Sequence, residues 1–151
     1  MPRLKDQPPD AASAKNASSS TTVAEQEAGS STTVFTTPGR QHFHPGHPKA
    51  WFTADASSGT PTIGADYGIS SLGDDGVGRI QVNLDTAFSS TNYAAIATAR
   101  SVTATAAQCA NPDTTANDPK TTSAYDFRVR RSATDTAQDS AEINMEFYGD
   151  L

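Results

Sequence analysis

Three segments of this chain place a large apolar residue at every second position. Ile80, Val82 and Leu84 alternate with Arg79, Gln81 and Asn83. Tyr125, Phe127 and Val129 alternate with Asp126, Arg128 and Arg130, and Ile143, Met145 and Phe147 alternate with Glu142, Asn144 and Glu146. A period of two sends successive side chains to opposite faces of an extended backbone, so each segment reads as a half-buried strand with one wet face. On a helix the same residues would be scattered around the circumference. The alternation therefore commits this part of the chain to β-structure.

The connections agree with that reading. Asp74-Asp75-Gly76-Val77-Gly78 is a tight turn that would join Ile69–Leu72 to Arg79–Leu84. Asn92 to Arg100 reads as a further strand of small residues, as expected of one facing a close neighbouring sheet. Asn111-Pro112-Asp113 to Pro119 reads as a loop. The last two strands carry outward Arg128 and Arg130 on one and Glu142 and Glu146 on the other. Joined by the Ser132–Ser140 loop, they would form an antiparallel pair whose facing charges pin its register. About six to eight short antiparallel strands in this length make a β-sandwich the natural solution. Nine of the eleven aromatic residues lie from Trp51 onward, so the core is expected there.

Residues 1–48 have a different character. Residues 1–20 are rich in Pro, Ala, Ser and Lys and contain one large aliphatic residue, Leu4. Alone they bury too little apolar surface to offset the entropy of ordering, so an anchoring role against other chains is expected. Thr22-Val23-Ala24-Glu25 is a capping-box pattern, and Gly29 would stop the short helix that follows. Thr37-Pro38 places an N-cap before a proline and predicts a second short helix, from Pro38 to about Phe43. The expected architecture is thus mainly β. A small antiparallel β-sandwich, residues 49–151, is preceded by an extended N-terminal arm with short helical turns, residues 1–48.

Composition and charge narrow the function. The chain is 35% hydrophobic and 19% charged, below the usual globular averages, and Ser, Thr, Ala, Asp and Gly fill the difference. Arg3, Lys5, Lys15 and Arg40 are offset by Asp6, Asp10, Glu25 and Glu27, so the whole net charge of -6 falls in residues 49–151. An acidic outer domain argues against nucleic acid as a partner, because phosphate binding needs clustered Lys and Arg. Cys109 is the single cysteine, so an intrachain disulfide is excluded. Its bland reading is an inert small residue beside a turn. The start, Met1-Pro2-Arg3-Leu4-Lys5-Asp6, has no apolar run, and no signal peptide is expected. No apolar segment approaches the ~20 residues of a membrane helix, and no membrane insertion is expected.

All three histidines fall in His42-Phe43-His44-Pro45-Gly46-His47. His42 and His44 would present two imidazoles on one side of an extended chain. Across a trimer axis such pairs would supply the nitrogens of an octahedral transition-metal site. The alternative is a polar junction in which His and Pro pack at the base of the domain. No other cofactor is indicated. Asp74-Asp75-Gly76 lacks the alternating oxygen ligands of a calcium loop. The histidines sit apart from the β-segments, so a Ser-His-Asp or Cys-His relay has no sequence support. A paired-carboxylate glycosidase site has only abundant Asp and Glu in its favour. No catalytic residue is assigned, and the expectation is that the chain is not an enzyme.

Several of these segments also resemble a known family. Val23-Ala24-Glu25-Gln26-Glu27-Ala28-Gly29 followed by Thr37-Pro38-Gly39-Arg40 is similar to a junction segment of bacteriophage tail-fibre proteins. His44-Pro45-Gly46, Lys49-Ala50-Trp51-Phe52, Tyr67 to Leu72, Asp75 to Gly78, Ile80 to Asn83, Ala87 to Tyr93 and the terminal Phe147-Tyr148-Gly149-Asp150 resemble C-terminal segments of phage fibre and minor virion proteins. The matches run from about Thr22 to Tyr93, plus the last residues. Each is weak alone, and their order and spacing make the set specific. The chain is too short for a long shaft. The resemblance implies a virion location and a homotrimeric short head fibre, tail-fibre tip, adaptor or capsid decoration protein. Residues 1–48 would hold other virion proteins, and residues 49–151 would face outward to a host cell-surface glycan or protein. Loops near Asp55–Pro61, Asp74–Gly78, Asn111–Pro119 and Ser132–Ser140 would make that contact, with trimer avidity offsetting weak single sites. Two other readings remain open: a capsid decoration or cement protein without host binding, and a carbohydrate-binding or glycan-cleaving module. Outward aromatics would favour the last, and Tyr148 is the one that alternation places outward.

Overall fold

The computed structural model describes Gln41, His44 and residues 46–102, 108–113 and 120–151. The chain divides into two compact units, Met1–His47 and Pro48–Leu151. The helical turns expected at Thr22 and from Pro38 to Phe43 fall, Gln41 excepted, outside the described residues.

The described residues of the second unit form strands joined by turns and loops, with no helix among them. Its strands are β1 (Ala50–Asp55), β2 (Thr62–Tyr67), β3 (Ile69–Asp74), β4 (Arg79–Leu84), β5 (Ala94–Ser101), β6 (Gln108–Pro112), β7 (Ala124–Arg131), β8 (Thr136–Ala137) and β9 (Ser140–Tyr148). They form two antiparallel sheets. Sheet A has the order β2-β1-β9-β5, and sheet B has the order β3-β4-β7-β6, with β8 added beside β7.

The period-two segments fulfil their reading. Ile80, Val82 and Leu84 of β4 are buried, as are Tyr125, Phe127 and Val129 of β7 and Ile143, Met145 and Phe147 of β9. With Phe52 of β1 they belong to one hydrophobic core shared by both sheets. Ring contacts cross it: Phe52 lies 6.5 Å from Phe127, and Tyr125 meets Phe147 edge-on at 5.9 Å. The inner side of β5 is Ala95, Ala97 and Ala99, packed partly buried on the core. Small residues are needed there because β5 and β6, end strands of opposite sheets, lie against each other.

Two expectations need correcting. Strands β7 and β9 are not an antiparallel pair. Strand β7 pairs with β4, β6 and β8, whereas β9 pairs with β1 and β5. Paired in one sheet, both strands would turn their apolar faces the same way and need a third partner to cover them. In opposite sheets they cover each other, as the Tyr125–Phe147 contact records. The second correction concerns Asn111 and Pro112, which end strand β6 rather than beginning a loop. At the end of the outermost strand of sheet B, a missing N–H costs no central ladder bond.

The β3–β4 turn is built as its sequence suggests. Gly76 has φ 109° and Gly78 has φ 64°. The Gly76 N–H donates to Asp74 Oδ1 at 2.9 Å, and the Arg79 N–H donates to the Gly76 carbonyl at 2.8 Å. Gly78 then meets β7 and the approach to β9. The Val129 N–H donates to its carbonyl at 2.7 Å, and the Val129 carbonyl accepts the Gln138 N–H at 3.0 Å. Strands β4 and β8 thus follow one another along the same side of β7.

Candidate functional site

Register and parity define the outer face of sheet A. Trp51 of β1 stands opposite Tyr67 of β2 and Glu146 of β9. Glu146 in turn stands opposite Ile96 of β5. These four side chains form one row across all four strands, on the side away from buried Phe52, Met145 and Phe147. Tyr148 is beside the row, and its hydroxyl donates to Glu146 Oε2 at 2.5 Å. That bond, chiefly, pushes the Tyr148 hydroxyl above the usual tyrosine range. Tyr67 is 50% exposed and Ile96 58%, while Trp51 and Tyr148 are partly exposed.

The neighbouring row is polar. Thr53, Asn144 and Thr98 stand side by side on β1, β9 and β5. Beyond them Arg100 faces Glu142. Arg100 Nε donates to Glu142 Oε2 at 2.8 Å, and Asn144 Nδ2 donates to Glu142 Oε1 at 3.1 Å. The Asn144 amide and the Arg100 guanidinium hold the Glu142 carboxyl below its ordinary range. Glu142 therefore pairs with Arg100, not with an arginine of β7.

Two of the three arginines of β7, Arg128 and Arg130, pair with carboxylates on sheet B. Arg79 and Arg128 stand opposite each other on β4 and β7. Two adjacent cations are held by buried Asp113, just after β6: Arg79 Nε donates to Oδ2 at 2.7 Å, and Arg128 Nε lies 3.7 Å from Oδ1. The Asp113 carboxylate raises the Arg79 pKa. Asp126, on the same face, has its carboxyl pushed up by burial. Arg130 Nη1 donates to both carboxylate oxygens of Asp135 at 2.6 Å. These contacts stitch strands and loops together. A 390 Å³ cleft lined by Arg131, Thr134, Thr136, Ala137 and Gln138, around β8, is open to solvent.

The strand directions give the domain two ends. The chain joins at one of them, where the Lys49 N–H donates to the Phe147 carbonyl at 2.7 Å. Segments distant along the chain converge there. Gly68 sits against Lys49 and Ala50, and Gly149 against Tyr93 and Phe88. Phe88 stacks on Tyr93 at 4.4 Å, and the Ser89 N–H donates to the Asp150 carbonyl at 2.8 Å. Tyr93 reaches β7 by donating to the carbonyls of Thr121 and Ala124 at 2.9 and 3.1 Å. Lys120 donates to the Tyr93 carbonyl, with Nζ 4.3 Å above the Tyr93 ring.

The other end collects loops. The segment after β1, the β3–β4 turn and the segment before β9 meet through the Ala56 N–H bond to Ser140 O at 2.9 Å and the Gly78 N–H bond to Asp139 Oδ1 at 2.8 Å. Three of the four loops expected to face a partner are thus together. The fourth, which continues past Asp113, is at the joining end, and its residues 114–119 lie outside the described set.

Of the candidate metal ligands, His42 lies outside the described residues. His44 Nδ1 accepts the Gly46 N–H at 3.1 Å, so one of its ring nitrogens is engaged within the junction. Among the described residues no group of three or more His, Cys, Asp or Glu is placed to hold a metal ion, and no helix is long and apolar enough to cross a membrane. Trp51 and Tyr67 went unnoticed in the sequence as surface aromatics. Trp51 lies between Ala50 and Phe52, so its parity is ambiguous until a partner strand is known. Tyr67 precedes a glycine that could equally have ended a buried strand. No family model, curated protein or solved structure matches the chain.

Proposed function

We propose that this chain is a non-enzymatic structural protein of a bacteriophage virion. It is a short trimeric fibre or fibre tip, anchored by residues 1–48, that displays residues 49–151 as a β-sandwich toward the host surface. The observation that carries this reading is the polarity of the domain. Of the segments that resemble phage fibre proteins, those at Lys49–Ala50, Gly68, Phe88–Tyr93 and Gly149–Asp150 lie together where the chain joins, while Asp75–Gly78 is in one of three loops that gather at the opposite end. The segments at the joining end act as architecture, with tight glycine contacts and ring stacking. The loops gathered at the opposite end are the candidates for contact with a partner.

Immuno-electron microscopy of purified phage particles, with an antibody raised against the full chain, tests the proposal. Label on the particle surface, together with a trimer mass for the purified chain, is the expected result. Absence of the chain from particles by mass spectrometry rejects it. A decoration protein without host binding shares the particle location and differs in failing to bind cells. A carbohydrate-binding role is favoured by a specific feature, the aromatic row on sheet A.

A further inference from the structure

We infer that the outer face of sheet A binds a neutral glycan, with Trp51, Tyr67 and Tyr148 as stacking surfaces and Glu146 as a hydrogen-bond acceptor. The row Tyr67–Trp51–Glu146–Ile96 crosses four strands, a span of about 14 Å at ordinary strand spacing. That is the reach of a short oligosaccharide. A pyranose offers an apolar C–H face and a rim of hydroxyls. It needs flat apolar surface next to fixed donors and acceptors, which is how this face is ordered. Tyr67 is 50% exposed, beside partly exposed Trp51, with the Tyr148 ring oriented by its bond to Glu146. Next to the aromatic row run Thr53, Asn144 and Thr98, then Glu142 held by Asn144 and Arg100. Side chains already fixed by one another lose little freedom on binding.

Charge selects the class of ligand. The net charge of -6 lies in this part of the chain, and the one arginine on the polar rows is paired with Glu142. A polyanion such as nucleic acid or an acidic polysaccharide would be repelled. A protein partner would be expected to seat on a larger apolar patch with fewer charges at its centre, whereas here Glu146 occupies the middle of the row. The inference rests on the display role only in that this face must reach a cell envelope.

Trp51 is the sole tryptophan, so its emission reports on this face directly. The full chain would be titrated with neutral hexasaccharides of glucose, galactose, mannose and N-acetylglucosamine and with neutral polysaccharide from the host envelope. At least one should give a saturable change in Trp51 emission. Tyr67→Ala and Tyr148→Ala should each weaken that binding about tenfold, as loss of a ring contact would. Ser71→Ala, exposed on β3 of the other sheet, should leave it unchanged. Far-UV circular dichroism confirms that each variant is folded. No saturable response to any glycan, or binding indifferent to both tyrosine substitutions, overturns the inference. So does an emission change that depends only on protein concentration, which would assign the face to a second copy of the chain. Each of these results leaves the particle-labelling outcome untouched, so the two readings fail separately.

Discussion

Gly78 shows how one residue can hold the geometry of a sheet. Its φ of 64° lies in the left-handed region, and a Cβ there would come within 2.6 Å of both Val129 O and Gln138 N. Gly76 has φ 109° and nothing within 4 Å of the same position. Both positions need glycine for conformation, and only Gly78 also needs it for space. Gly76→Ala should therefore cost roughly 1–3 kcal/mol of backbone strain. Gly78→Ala should cost about 4 kcal/mol or more, because the β4 and β8 junction must also shift. Urea unfolding of the two variants compares them, and equal midpoints would refute the steric part of the argument. The sequence shows two glycines in a turn but not this difference, since Gln138 is distant along the chain.

At the scale of elements, strand parity explains most of the pattern. Alternation in β4, β7 and β9 was legible because each carries three large apolar residues against polar neighbours. Strand β1 was less so, since Ala50, Trp51 and Phe52 are all apolar. Strand β2 has a burial pattern that is mostly exposed and therefore no core stripe to read. The alanines of β5 report the approach of β6. Ala97→Leu should force that approach apart and cost about 1–3 kcal/mol, measured by chemical denaturation. Thr98→Val, on the outer side of the same strand, should stay within roughly 0.5 kcal/mol of the parent. The arginine–glutamate pairing expected between β7 and β9 failed for a related reason. Complementary charges on wet faces carry little energy, whereas mutual burial of Tyr125 and Phe147 carries much more, and the latter decides which sheet each strand joins.

For the whole molecule, Tyr93 links the two sheets at the joining end. It lies in the β4–β5 connection, is 3% exposed, contacts Phe147 and Tyr125 at 6.1 and 6.3 Å, and donates to two carbonyls near the start of β7. Burial, above all, raises its pKa far above the ordinary tyrosine value of about 10. The folded state thus keeps the proton that the unfolded state releases. Stability is complete below about pH 10 and declines as pH rises past it, by about 1.4 kcal/mol per pH unit for one such group. Tyr93→Phe should cost about 1 kcal/mol at neutral pH, by removing the donor to Thr121 and Ala124. It should also flatten the alkaline decline seen in thermal or urea unfolding between pH 9 and 11 (about one unit either side of the free tyrosine value). Tyr125, also raised by burial, would supply the remaining slope. A variant with an unchanged alkaline profile would show that Tyr93 is not the group responsible. By itself the sequence determined that residues from Lys49 onward are β-structure, which faces of three strands are buried, and where the main turn lies. Those are local consequences of residue period and glycine placement. Tertiary structure alone decided that β7 and β9 face each other across the core, that Asp113 joins two arginines, and that Trp51, Tyr67, Glu146 and Tyr148 share one surface. Such groupings depend on strand order and register, which are set by the competition of distant apolar faces for each other and leave no mark at short range along the chain.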